Sequence, residues 1–409
     1  MEKRRLIALI VALAMAFALA ARGTGGATTT TAAPGPETAT GPVEAEEAAT
    51  GQAGEEETTT GPEAAEGAAP AAGGFEIALI TDYGTIDDRS FNQGSWEGVV
   101  QFALPRGIAH RYYQPPEVSP EAYIATIELA VTGGARIIVT PGFLFEESIF
   151  IAQDRFPDIH FILLDGTPRN EGWTEFRTND NVVAITYAEE EAGFLAGYAA
   201  VRDGNTSLGF MGGMAVPAVV RFGYGFVQGA EFAAQYMGLG SESIQLYYHY
   251  TGGFSATPEV QAMAASWYNA GIEVVFACGG LLGNSVMAAA EAAGTKVIGV
   301  DVDQSVESET VITSALKGLT VSVYDSLAAF YDGTFPGGQN LVFRAYNYGV
   351  GLPMETSKFE VFGQADYDAV FQRLQRNEIP LMRDVDDGGG FVTIDMLPVD
   401  AVVLRTFAN

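Results

Sequence analysis

The chain has 409 residues, 48% of them apolar, enough for a packed core and, by length, two or three domains. Its 51 acidic against 21 basic residues give a formal charge of −30, which argues against nucleic-acid binding because phosphate contacts need clustered Lys and Arg. A single cysteine, Cys278, excludes an internal disulfide, and one cysteine with three histidines argues against a zinc site.

Residues 1–21 read as an export signal. Lys3-Arg4-Arg5 is a positive start, residues 6–19 form an apolar run too short for a comfortable membrane span, and Ala18-Leu19-Ala20 ends it with a small-x-small cleavage pattern. An uncleaved anchor is the alternative. Residues 22–74 are Thr, Ala, Gly, Pro and Glu without apolar periodicity. Such a segment cannot bury enough apolar surface to offset its ordering entropy, so a disordered tether is expected.

From residue 75 onward, strand and helix patterns alternate. Strands are predicted at 75–81, 136–140, 160–164, 182–187, 207–211, 244–250, 273–278 and 296–300, with 311–316 leading to Lys317. Helical patterns lie between most of them, at 120–131, 189–201, 217–237, 258–270 and 285–293. This alternation predicts an α/β protein with mostly parallel sheets flanked by helices. The strands exceed one comfortable sheet, so two lobes joined by a hinge are expected. Lobe 1 is assigned to about 75–203 and 318–345, and lobe 2 to about 204–317 and 346–409.

In such sheets ligands bind beyond the carboxyl ends of the strands. The residues found there are Asp82, Asp87, Asp88 and Asn92 after the first strand, Phe143 after the second, and Asp165 after the third. Met214 follows the fifth strand in Gly212-Gly213-Met214-Ala215-Val216-Pro217, and Gly279 and Gly280 follow Cys278. Asp301, Asp303 and Gln304 close the 296–300 strand, and Lys317 ends the next one. Acids, an amide, a lysine, aromatics and glycines without a nucleophile–base pair suit a neutral, flat, polyhydroxylated ligand. A carboxylate accepts two hydrogen bonds from a vicinal diol, and Asp and Asn read a base's donor and acceptor edge. Each residue has a plainer alternative. Asp82, Asp87, Asp88 and Asn92 also suit turn or helix capping, and Trp96 and Phe143 also suit a core. No phosphate-loop or dinucleotide fingerprint stands in position, so no cofactor and no metal is expected.

The run Asp82…Ile86-Asp87-Asp88-Arg89-Ser90-Phe91-Asn92-Gln93…Trp96-Glu97-Gly98 resembles the opening motif of the basic membrane protein family. Three further stretches are similar to that family: Gly212-Gly213-Met214…Pro217…Phe222-Gly223-Tyr224-Gly225-Phe226…Gly229-Ala230, Tyr250-Thr251-Gly252-Gly253-Phe254…Pro258 ahead of a helix, and Val297-Ile298-Gly299-Val300-Asp301-Val302-Asp303-Gln304 followed by Thr313-Ser314-Ala315-Leu316-Lys317. These are substrate-binding lipoproteins of ABC importers, and the characterised branch binds purine nucleosides. The resemblance implies a two-lobe periplasmic-binding-protein fold of type I and no enzymatic activity. It implies a nucleoside ligand and, as partners, an ABC permease with its ATPase. Asp301 would take ribose hydroxyls, Lys317 would add a sugar contact, and Asn92 with an Asp of the 87–88 pair would read the base. Met214 and Phe222 would belong to the second lobe's entry, and Trp96 is either core or a stacking platform.

The chain departs from the family twice. Arg22 stands where the lipid-bearing Cys is expected, which leaves three readings: release by ordinary cleavage to the periplasm or the outer face of the cell membrane, an uncleaved signal acting as anchor, or a sequence variant at this position. The segment Cys278-Gly279-Gly280-Leu281-Leu282-Gly283-Asn284-Ser285 replaces the family's Ala-Gly-Gly-Thr-Gly-x-Gly in the expected pocket wall. Two alternatives remain open: a sensory protein of the same fold, and an enzyme using Asp301 and Asp303 for acid–base work on a glycosidic bond.

Overall fold

A computed structural model describes residues 74–82 and 84–407; the expected export signal and nearly all of the expected tether lie outside them. The chain begins with β1 (Ile77–Ile80), α1 (Phe91–Ala103), β2 (His110–Tyr113), α2 (Pro120–Thr132), β3 (Ile137–Pro141), α3 (Glu146–Arg155), β4 (His160–Leu164) and β5 (Val182–Tyr187). It continues with α4 (Glu189–Arg202), β6 (Ser207–Gly212), α5 (Pro217–Met237), β7 (Ile244–Tyr250), α6 (Pro258–Asn269), β8 (Val274–Cys278), α7 (Leu282–Ala293), β9 (Lys296–Asp301) and β10 (Val311–Lys317). It ends with α8 (Leu319–Tyr331), β11 (Gln339–Phe343), β12 (Val350–Gly351), α9 (Gln364–Gln375) and β13 (Val402–Thr406).

Two sheets result. The first has six strands in the order β11-β5-β4-β3-β1-β2, all parallel. The second has seven, β12-β10-β9-β8-β6-β7-β13, parallel except for the short β12. Helices cover both faces of each sheet, so alternate strand residues enter different cores. Ile77 and Leu79 of β1 join one core, and Ala78 and Ile80 join another. In β8, Val274 and Phe276 divide in the same way from Val275 and Ala277. Burial on both faces is why these strands read as continuous apolar runs.

Helix starts follow local chemistry. Ser119 Oγ accepts from Ala122 N at 3.2 Å ahead of α2, and Thr257 Oγ1 accepts from Val260 N at 3.2 Å ahead of α6. Each cap is followed by a proline at the first helical position, where its missing N–H costs nothing.

The sequence assigns α4 to the first lobe, with the crossing near residues 200–205. The structure places α4 on the second sheet instead, packed against α5 and β10. Four glycines explain the contact. A Cβ on Gly193 or Gly197 would lie 2.0 or 2.1 Å from the carbonyl oxygens of Phe222 and Phe226. A Cβ on Gly225 or Gly229 would lie 2.1 or 2.0 Å from those of Glu190 and Phe194. The two helices therefore touch backbone to backbone. The chain crosses between lobes at Ala188, returns at Gly318, and crosses again between Phe343 and Val350. These crossings lie side by side: Ala188 N donates to Phe343 O at 2.9 Å, and Gly318 N to Gly349 O at 2.8 Å. Glu191 fixes the third one, accepting from Arg344 Nη2 at 2.6 Å and Ala345 N at 2.7 Å. After Gly318, α8 packs on α1 in the first lobe, where Thr320 Oγ1 donates to Gly94 O at 3.0 Å. Among the described residues no helix is long and apolar enough to cross a membrane.

Candidate functional site

The carboxyl ends of the strands in both lobes meet around a cavity of about 360 Å³, inside the roughly 300–1,000 Å³ usual for small-molecule sites. Lobe 1 lines it with Asp82, Asp88, Phe91, Asn92, Phe143 and Asp165. Lobe 2 contributes Glu189, Phe222, Gly279, Gly280, Asp301 and Lys317.

The start of α1 is organised by Asp88. Its Oδ1 accepts from Ser90 N at 2.9 Å and Gln93 N at 3.0 Å, and its Oδ2 accepts from Asn92 N at 3.0 Å. These are donors that a helix start leaves open, so Asp88 caps the helix while lining the cavity. Asn92 Nδ2 donates to Asp88 Oδ2 at 2.9 Å and to Asp82 Oδ1 at 3.0 Å. Two flanking carboxylates fix the orientation of the amide. Its Oδ1 is then buried without a hydrogen-bond partner.

On the far wall, Asp301 Oδ2 accepts from Ser90 Oγ at 2.5 Å, and Gln304 Nε2 donates to Arg89 O at 2.7 Å. Both bonds span the cleft, as does the ion pair of Lys317 with Asp165. Lys317 Nζ also lies 3.1 Å from Glu189 Oε1, with only 2% of its side chain exposed. The rings of Phe91, Tyr187 and Phe222 surround it at 4.9, 5.1 and 5.7 Å. Asp165 and Asp301 both adopt left-handed backbone, with φ of 57° and 67°. Such positions cost about 1–3 kcal/mol and concentrate at ligand sites, and Asp tolerates them better than most residues.

Burial pushes Asp165 up to about 7, against the pull of Lys317 and with help from Glu189. Burial also raises Asp301. For Lys317, burial opposes the charge, but the carboxylates of Asp165, Glu189 and Asp301 outweigh it and hold the ammonium above its ordinary range. Asp165 Oδ1, like Asn92 Oδ1, is buried without a partner. Among the described residues no group of His, Cys, Asp and Glu is arranged to hold a metal ion.

Four residues singled out from the sequence do not line the cavity. Asp87 is exposed and accepts from the Thr85 hydroxyl. Trp96 packs its ring 5.5 Å from those of His110 and Tyr112, on the β2 side of α1. Met214 sits in a turn whose carbonyl accepts from Val216 N at 2.8 Å. Asp303 accepts from Ser305 N at 3.0 Å and Thr356 Oγ1 at 2.6 Å, turned away from Asp301.

The cavity also includes Phe91, Glu146, Trp173, Glu189, Arg221 and Phe254, which the sequence reading did not select. The run Glu189-Glu190-Glu191 carried a usable signal, since three consecutive acids opening an otherwise apolar helix cannot all serve a solvated face. All three are buried. Arg221 joins Glu189 to the C-terminal segment, with Nη1 3.4 Å from Glu189 Oε2 and Nε 2.7 Å from Asp384 Oδ1.

Two α/β lobes joined by three adjacent crossings, with a small cavity between their strand ends, define a two-lobe fold of the periplasmic-binding-protein type. An ABC transporter solute-binding protein from Aeropyrum pernix has the same fold, with a TM-score of 0.65 at 21% identity over 77% of this chain and 95% of its own. One from Conexibacter woesei aligns with a TM-score of 0.61 at 24% identity over 76% and 99%. Residues 75–378 match the family model of PnrA-like ABC transporter substrate-binding proteins, Bmp, and the chain belongs to that family. The ABC transporter nucleoside-binding protein BmpA of Lactococcus lactis is 29% identical over 309 residues, covering 70% of this chain and 83% of its own. Basic membrane protein A1 of Borrelia garinii is 28% identical over 284 residues, 67% of this chain and 77% of its own.

Proposed function

We propose that the protein is an exported solute-binding component of an ABC importer that captures a nucleoside, with purines preferred, and delivers it to a permease. The observation that carries this reading is the pair of unpartnered buried acceptors, Asn92 Oδ1 and Asp165 Oδ1, in one cavity with Asp301 and Lys317. Burying an acceptor without a partner costs about 1–3 kcal/mol, which a ligand's N–H or O–H recovers. Asn92 takes an N–H from the base edge. Asp165, Asp301 and Lys317 hold sugar hydroxyls, and Phe222 of lobe 2 covers one face of the base. The carboxylates of Asp82, Asp88, Glu146, Asp165, Glu189 and Asp301 against Lys317 and Arg221 disfavour a phosphorylated ligand. The name of the Lactococcus lactis relative, a nucleoside-binding protein, supports the same ligand class.

Binding acts by hinge closure, because a ligand touching both lobes favours the closed form and one touching a single lobe shifts nothing. The expected export signal would put this capture outside the cell membrane. The enzymatic alternative needs Asp301 and Asp303 on one side, and Asp303 is engaged elsewhere. Isothermal calorimetry on protein stripped of copurified ligand by unfolding and refolding tests the reading, with inosine, guanosine, adenosine, cytidine, uridine, free bases and ribose. Inosine or another purine nucleoside should bind tightly, and Asp301→Ala should abolish it. Silence for every nucleoside with a response to another solute would refute the ligand and leave the family intact.

A further inference from the structure

We propose that the hairpin of residues 169–176 supplies a ligand contact of its own, with Trp173 stacking on the base at the cavity mouth and Arg169 positioning it. This rests on the nucleoside reading above. Between β4 and β5 the chain forms a hairpin closed by an antiparallel bridge between Arg169 and Phe176. Asn170 holds the tip: its N donates to Glu175 O at 3.0 Å, and its Oδ1 accepts from Thr174 N at 2.9 Å and Glu175 N at 3.2 Å. Glu171, Gly172, Thr174, Glu175 and Phe176 are exposed, whereas Trp173 is half-buried and lines the cavity. Trp173 also has a φ of 54°, a conformation seldom adopted by a bulky side chain.

Arg169 explains how that conformation is held. It is only 8% exposed, and its Nε donates to Glu146 Oε2 at 2.7 Å. Its guanidinium lies 3.5 Å from the centre of the Trp173 ring. A planar guanidinium bonds a carboxylate in its plane and covers an aromatic ring with its face, and lysine cannot do both. Glu146 lines the cavity, and its Oε1 accepts from Thr167 N at 3.0 Å. Cavity wall, arginine and indole thus form one connected unit. Arg169 covers the indole from one side and the Phe176 ring stands edge-on 6.4 Å away, so the part of the indole that lines the cavity is what the ligand would meet. A flat base offers a partner for that surface and a bare sugar does not.

The test is titration of inosine into the wild-type protein, Trp173→Ala, Trp173→Phe and Arg169→Lys, read by calorimetry and by tryptophan emission. Stacking of a base on an aromatic side chain predicts a loss of about tenfold or more in inosine affinity for Trp173→Ala. Trp173→Phe should restore most of it, and Arg169→Lys should lose affinity without unfolding. The inosine-dependent change in emission should be present in the wild type and absent from Trp173→Phe, a readout that a purely structural role would leave unmoved. If the wild type binds inosine and Trp173→Ala binds it within about twofold, this proposal alone is overturned. If the wild type binds no nucleoside, the nucleoside reading falls and this proposal with it.

Discussion

Lys317→Met removes the ammonium shared by Asp165 and Glu189 while keeping the length of the side chain. The side chains of Lys317, Asp165 and Glu189 are 2%, 10% and 1% exposed, so water cannot replace the lost charge. Removing one partner of a buried ion pair costs about 3–5 kcal/mol, because the remaining charge stays desolvated and unpaired. Glu189 keeps Arg221 at 3.4 Å, and Asp165, already raised to about 7 beside the cation, takes up a proton more readily without it, so the loss should lie at the lower end of that range near neutral pH. It should shrink on acidification to about pH 5, where Asp165 is protonated and no longer needs the cation. Adding Asp165→Asn to Lys317→Met should recover part of the loss, giving a coupling well outside simple additivity. Urea denaturation followed by circular dichroism at both pH values measures all four corners of the cycle. A cost below about 1 kcal/mol near neutral pH, typical of an exposed pair, would refute the argument, as would a cost that grows on acidification.

The close contact of α4 and α5 predicts that Gly225→Ala, whose Cβ would meet Glu190 O at 2.1 Å, destabilises by at least the ~1–3 kcal/mol of ordinary overpacking, measurable as a lowered urea midpoint. Burial raises both Asp165 and Glu190 to about 7, so between about pH 4 and pH 7 the folded chain binds more protons than the unfolded one and stability from these groups falls as pH rises. Asp165→Asn or Glu190→Gln should flatten that slope in denaturation curves across the same window. With both Asn92 amide hydrogens committed, its unpartnered Oδ1 is the atom that the proposed reading gives to the base. A base with its edge N–H replaced by methyl, such as 1-methylinosine, should then bind at least about fivefold more weakly than inosine by calorimetry, the lower limit for one stranded acceptor. Ser90→Ala deletes the hydroxyl that bonds Asp301 across the cleft and should shift the unliganded protein toward open forms by about 1 kcal/mol, visible as a larger radius of gyration in small-angle scattering.

The alternation of strands and helices made the two-sheet architecture legible, because parallel strands buried on both faces leave continuous apolar runs whatever their neighbours. Sheet membership was less legible. Nothing in the pattern of α4 tells which sheet it covers, and only its glycines, matched to those of α5, carry that information. Strand ends located most of the cavity because topology forces them together. They could not give side-chain direction, so Asp303 and Met214, one or two residues from the cavity, turn elsewhere. Asp88 was readable as either cap or ligand contact; it caps α1 and also lines the cavity, since the helix start forms part of the wall. Trp173 had no periodic signal at all, because an irregular hairpin is held by single side-chain bonds that no repeat in the sequence announces.

The glycine-lined seam between α4 and α5 has a consequence for anyone redesigning specificity. Phe222, a cavity residue, presents its own carbonyl to Gly193, and one turn or less along α4 the Glu191 carboxylate holds the third crossing at Arg344 and Ala345. Main chain bearing on main chain has no rotamers to absorb a displacement. A bulkier residue at position 222 that pushes α5 outward would therefore tilt α4 and the anchor of the crossing with it, changing how far the lobes rotate as well as what they hold. Substitutions at Phe143, in the lobe 1 wall and outside both this seam and the bonds that span the cleft, should alter ligand choice while leaving the angle of closure intact.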